Sequence, residues 1–155
     1  MSLIDNTQVM DVLSQRIGYL FAKLHQVWLA ESIAVLREAG LGLSAVHFGA
    51  LSAIEAAGPI SQQLLSEYVR KDRTTIVGIV DELESEGFVE RRRNPDDRRA
   101  YALQITERGH DWLGRAKPVL HSAEDRLLRE LDPAERTMLL ELLQRVLFTP
   151  MPDGE

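Results

Sequence analysis

FVERRRNPDDRRAYALQI, residues 88–105, is the stretch on which the fold turns. Phe88-Val89-Glu90-Arg91 is too short and too rich in β-forming side chains for a helix. Tyr101, Leu103 and Ile105 alternate with Ala100, Ala102 and Gln104 at a period of two. Between these segments Asn94-Pro95-Asp96-Asp97 is a turn signal. The pattern predicts two short strands around a charged turn. Five of the ten residues 91–100 are arginine and two are aspartate, a sum of +3 in a chain whose formal net charge is −6, so the remainder carries −9. A polyanion responds to the local field and not to the total. Taken alone, an arginine run is more often a solvated surface than a nucleic-acid site, so the neighbouring elements decide.

Upstream, a helix starting near Asp72 puts Ile76, Ile79 or Val80, and Leu83 inward and stops at Gly87. Ser61 caps a shorter helix carrying Leu64, Leu65 and Val69. Before that, Ser44 opens a helix with Val46, Phe48, Leu51 and Ile54, closed by Gly58-Pro59. The first stretch, roughly 7–38, reads as one long helix, because Val9, Val12, Leu13, Ile17, Leu20, Phe21, Leu24, Val27 and Trp28 recur at spacings of three and four; Gly40 and Gly42 end it. Downstream, Thr106 caps a long helix through Trp112, Ala116, Val119, Leu120, Ala123 and Leu127, in which Pro118 is expected to bend the axis or lie near a break. Asp132-Pro133 starts a last helix with Met138, Leu139, Leu140, Leu142, Leu143, Val146 and Leu147 as its apolar positions.

Short helix, tight turn, helix, strand, basic turn, strand is the layout of a helix-turn-helix with a wing. In that layout the second helix lies in the major groove and the hairpin tip reaches phosphates or the minor groove. Arginine suits the tip, since its planar fork binds phosphate bidentately and fits a narrow electronegative groove. Basic residues cluster at the two ends of the unit, Arg70, Lys71 and Arg73 at one and Arg91 to Arg99 at the other. Asp81, Glu82, Glu84 and Glu86 between them are expected on faces turned away from DNA. The DNA-binding candidates are therefore Arg70, Lys71, Arg73, Thr74, Thr75, Val77 (a partner for a thymine methyl), Arg91, Arg93, Asp97, Arg98 and Arg99.

Residues 60–109 resemble the MarR family of winged-helix transcription regulators. The resemblance rests on four pieces in register: Asp72-Arg73-Thr74-Thr75; Leu83-Glu84-Ser85-Glu86-Gly87-Phe88-Val89; Asp97-Arg98-Arg99; and Ile105-Thr106-Glu107-Arg108-Gly109, where the family has leucine for Ile105. It implies a mainly α fold with a small β-hairpin wing. One MarR-like domain would span 1–155, with the winged helix-turn-helix lobe at 44–109 and dimerisation helices at 7–40 and 110–148. It also implies that Arg99 enters the minor groove, that Asp97 orients the wing, and that Arg73, Thr74 and Thr75 contact the major groove or phosphates. Two positions depart from the pattern. Gly78 stands where many relatives carry a polar reader, and Arg70-Lys71 stand where a glycine and an apolar residue are common. Relatives bind small aromatic or phenolic ligands between the dimer helices and the DNA-binding lobe, which makes Trp28, His47, Phe48 and Trp112 the candidate liners here.

The bulk numbers agree with a globular regulator. With 155 residues, 45% hydrophobic and 27% charged, the chain is long enough for a real core. It has no cysteine, which excludes disulfides and thiol-based redox sensing. No apolar run reaches the roughly 20 residues that span a bilayer, and MSLIDNTQVM does not read as a secretory signal, so a cytoplasmic protein is expected. His25, His47, His110 and His121 lack close metal-ligand spacing, and no phosphate loop or nucleophile–base pair is present. No metal, cofactor or enzymatic activity is therefore expected. The apolar positions of the last helix cover more of its circumference than one monomer core needs, which points to a homodimer. The expected function is a dimeric repressor of a pseudopalindromic operator in double-stranded DNA, released by a small-molecule effector. The alternative is a winged-helix protein-interaction module, which the net negative charge favours.

Overall fold

The computed structural model describes residues 6–93 and 101–148. Seven helices and one hairpin follow in order: α1 Asn6–Ser14, α2 Ile17–Glu38, α3 Ala45–Ala57, α4 Gln62–Val69, α5 Arg73–Ser85, β1 Val89–Arg93, β2 Tyr101–Ile105, α6 Glu107–Leu127 and α7 Pro133–Phe148. The two strands pair antiparallel from Val89↔Ile105 to Arg93↔Tyr101. This is the mainly helical winged fold that the sequence implies. One pairing was not expected: Ile60, between α3 and α4, exchanges both backbone hydrogen bonds with Leu103 at 3.1 and 2.7 Å. That bridge, at the middle of the ladder where Leu103 faces Arg91, pins the hairpin to the helix-turn-helix.

The caps explain where the helices stop and start. Ser61 accepts from the Leu64 N–H, Thr106 from the Gly109 N–H, and Asp132 from the Ala134 and Glu135 N–H groups. At the end of α5, Gly87 takes a left-handed φ of 73°, the Gly87 N–H reaches Glu84 and the Phe88 N–H reaches Leu83. This Schellman turn reverses the chain into β1. Between α4 and α5 the same left-handed conformation falls on Arg70 (φ 50°). The turn there is tied by the Lys71 N–H to the Ser66 carbonyl at 3.3 Å and by the Ser66 hydroxyl to the Lys71 carbonyl at 2.7 Å.

The single helix expected over 7–38 is in fact two. Arg16 is extended (φ −103°, ψ 110°) between α1 and α2, and the Ser14 hydroxyl donates to the Asp11 carbonyl at 3.0 Å as α1 closes. Apolar spacing reports a face, not backbone continuity. Val12 and Ile17 on either side of the break are both exposed, and the Tyr19 hydroxyl of α2 reaches back to Met10 Sδ of α1 at 3.9 Å. Conversely, no break falls at Pro118, and α6 runs on to Leu127. Pro118 is on the solvent side, where water can satisfy the carbonyl left without a partner, while Ala116 and Leu120 are buried and hold the helix to the core.

The core of the lobe is Leu51, Ile54, Leu65, Ile76, Val80, Leu83 and Leu103, all fully buried, with Trp112 of α6 stacked near Phe88 and Phe48 (centroids at 5.8 and 6.5 Å). α2 packs along α6. α7 has no buried residue, and its Met138, Leu140, Leu142, Val146, Leu147 and Phe148 are exposed together with Ile17, Leu20 and Phe21 of α2.

Candidate nucleic-acid interface

α5 presents its first two turns to solvent. Ile76, Ile79, Val80 and Leu83 face the core, which leaves Arg73, Thr74, Thr75, Val77 and Gly78 on the exposed side. The helix start is fixed by Asp72, which accepts the Thr75 N–H at 3.0 Å and the Thr75 hydroxyl at 2.6 Å. Those two bonds, the hydroxyl's first, hold the Asp72 carboxyl below its ordinary pKa. The Thr75 hydroxyl proton is thus committed to the cap, and what Thr75 offers outward is its methyl group and a lone pair. A cleft of roughly 450 Å³ between α4 and α5 is lined by Gln62, Gln63, Ser66, Arg73 and Val77. Arg70 and Lys71, both exposed, extend the cationic edge through the turn.

The acids of α5 are all engaged elsewhere. Asp81 and Glu84 meet Arg91 of β1 at 2.6 and 3.3 Å. Glu82 meets His47 of α3 at 2.9 Å, and Glu86 lies 3.9 Å from Arg108 of α6. These carboxylates point to neighbouring elements of the same chain. In the wing, Arg92 pairs with Glu90 at 2.6 Å and Arg93 is exposed at the outer end of β1. Asp97, Arg98 and Arg99 lie outside the described residues.

The four candidate effector liners do not share one cavity. Trp28 lines a groove of roughly 640 Å³ with apolar residues of α2, α6 and α7. His47 lines another of roughly 500 Å³ with Ile33, Arg37 and Glu82. Trp112 lines a third of roughly 360 Å³ beside Phe88 and Arg108, and Phe48 packs on Trp112. His47 also has a structural duty that sequence reasoning missed. Its Nδ1 lies 2.8 Å from the Ser44 hydroxyl and accepts the Ser44 N–H at 3.3 Å, completing a capping box, while Nε2 faces Glu82. Its place three residues after Ser44 was the available signal. Among the described residues, no three His, Asp or Glu side chains gather as a metal site, and no helix is long and apolar enough to cross a membrane.

A capped helix with a polar, cationic outer face, a basic hairpin beside it and a three-helix support define a winged helix-turn-helix protein of the DNA-reading class. Residues 43–101 match the model of the MarR family. NicR of Pseudomonas putida, an HTH-type transcriptional repressor, is 30% identical over 146 residues, which cover 93% of this chain and 89% of NicR. The chain belongs to the MarR family. The transcriptional repressor MprA of Escherichia coli K12 is 33% identical over 108 residues, 68% of this chain and 61% of MprA, so the match spans less than two thirds of that relative. The repressor CouR bound to a 23-mer DNA duplex superposes with a TM-score of 0.79 at 27% identity, covering 86% of this chain and 94% of CouR. CouR of Rhodococcus jostii RHA1 bound to p-coumaroyl-CoA gives 0.75 at 28% identity, covering 91% and 98%.

Proposed function

We propose that the protein is a homodimeric transcriptional repressor that binds a pseudopalindromic operator and leaves it when a small aromatic or phenolic effector binds. The observation that carries this reading is the outer face of α5, where Arg73, Thr74, Thr75 and Val77 stand exposed beside Arg70 and Lys71 while Asp81 and Glu84 are paired with Arg91 of β1 and Glu82 meets His47 of α3. Arg70, Lys71 and Arg73 neutralise phosphates at the positive end of the helix dipole. Thr74, Thr75 and Val77 meet base edges and thymine methyls in the major groove. Arg93 and Arg98 hold the flanking backbone, and Arg99 enters the minor groove with Asp97 orienting it. A second copy covers the apolar faces of α2 and α7, and the twofold sets two α5 helices roughly 34–36 Å apart, one turn of DNA. Such a protein works in the cytoplasm, where its operator is, and turns over no substrate.

CouR, seen both with DNA and with p-coumaroyl-CoA, supports a repressor switched by a ligand with an aromatic acyl group. An effector seated between the lobes favours a spacing of the α5 helices that no longer fits successive major grooves. A tenfold loss of operator affinity needs about 1.4 kcal/mol of coupling. The net charge of −6 favours a second reading, a protein-interaction module. Arg99→Ala separates the two. An operator reader loses about 1–3 kcal/mol of duplex affinity, read by fluorescence anisotropy. Affinity kept within about twofold of wild type would remove the wing from the interface.

A further inference from the structure

Arg91 belongs to the arginine run of the wing, yet its surroundings are not those of a DNA ligand. On β1 it lies on the same face as Val89, which is buried against the core, one alternation further out. There it meets two carboxylates one turn apart on α5. Nη2 reaches Asp81 Oδ1 at 2.6 Å and Nε reaches Glu84 Oε2 at 3.3 Å. One guanidinium thus donates a hydrogen bond to Asp81 and lies within ion-pair reach of Glu84, bridging the two carboxylates. The three groups together carry −1, so the cluster offers a phosphate no net attraction. Arg92, on the opposite face of the strand, pairs with Glu90 of the same strand and is far more exposed, at 60% of its side chain against 35% for Arg91.

The Thr106 N–H and hydroxyl fasten the hairpin at its base, on the Phe88 and Gly87 carbonyls at 3.0 and 2.7 Å, and the Ile60–Leu103 bridge ties β2 to the α3–α4 connection at the level of Arg91. Among the described residues, Arg91 is the outermost link from the hairpin to α5. We propose that Arg91, with Asp81 and Glu84, is a positioning residue that fixes the angle between the wing and the recognition helix, and that it is not a phosphate ligand. This rests on the operator-binding reading above. Exposed ion pairs add little to global stability, so the clamp acts on orientation and leaves the melting temperature nearly unchanged.

The test uses the full chain and a duplex selected by it, with binding measured over a range of salt concentrations. Arg91→Gln is expected to weaken binding by about tenfold, within the range for coupled neighbours. The slope of log K against log salt stays as in wild type, because no phosphate contact is lost. The Asp81→Asn/Glu84→Gln double variant is the stricter arm. It removes two negative charges beside a polyanion, yet a clamp predicts weaker binding. Combining all three substitutions should cost little more than Arg91→Gln alone. The proposal is overturned if Arg91→Gln lowers the slope by about 0.9, the signature of one released phosphate contact, or if the acid variant binds as tightly as wild type or tighter. A DNA-free arm decides the clamp should wild type select no duplex, the outcome that sinks the operator reading instead. Amide hydrogen exchange at 91–93 and 101–103 should quicken in both variants, and unchanged exchange there overturns the clamp.

Discussion

At the scale of the residue, single side chains decide whether the wing meets the helices correctly. Gly109 is one of them. A Cβ there would run into the Phe88 carbonyl oxygen and stand 2.7 Å from Ile105 Cγ1, both fixed by the strand pairing and by Thr106. Gly109→Ala is expected to destabilise the protein by about 1–3 kcal/mol through overpacking against backbone, read as a lower midpoint in urea at unchanged slope; an unchanged midpoint would contradict this packing. In the sequence Gly109 stood only as part of the family motif, its contact with Phe88 lying far back along the chain. Asp72, Ser61 and Thr106 could be read from the sequence because caps are local, the residue and its partner lying within a few positions. Arg91 could not. Its carboxylates are ten and seven residues back, across a reversal of chain direction. In the sequence it was indistinguishable from Arg93, which is exposed. The contact of His47 with Glu82 was hidden for the same reason, since Glu82 is far along the chain.

At the scale of the element, α5 carries the account. Its inward residues were predictable from a 3.6-residue period, and its end from Gly87. The Ile60–Leu103 bridge was not, because isolated bridges leave no periodic trace. The break between α1 and α2 was missed for a related reason: local signals rank tendencies, and the backbone settles them, whereas α6 runs to Leu127 as its apolar period indicated. Gly78 is the element's open question. It is exposed on the same side of α5 as Arg73, Thr74 and Val77, and a Cβ at this position would meet nothing within 4 Å, so nothing among the described residues calls for glycine there. Gly78→Ala should therefore raise stability by about 0.5–1 kcal/mol in thermal or urea unfolding. No gain, or a loss, would mean that α5 is strained in a way the packing does not show.

At the scale of the whole molecule, the exposed apolar residues of α2 and α7 weigh as much as the basic wing. Leu140 and Val146 are 57% and 69% exposed on a helix with no buried residue, and a face of that kind marks an interaction surface. The paired substitution Leu140→Glu and Val146→Glu is expected to shift the sedimenting species from dimer to monomer and to lower operator affinity with it. A variant that stays dimeric would place the partner face elsewhere. Half of this could be read from the sequence, in which the last helix is apolar around too much of its circumference. The separation of Trp28, His47 and Trp112 into three cavities could not, because cavities arise from the packing of distant segments.

The claim that joins these scales is that α5 and the wing read DNA. Selection of bound duplexes from a random pool, followed by a salt titration on the enriched sequence, tests it most directly. The account predicts a pseudopalindrome with half-site centres roughly one helical turn apart. It also predicts that log K falls against log salt by about 0.9 for each phosphate neutralised. No enrichment even at low salt, together with a protein partner retained from nuclease-treated lysate, would contradict it.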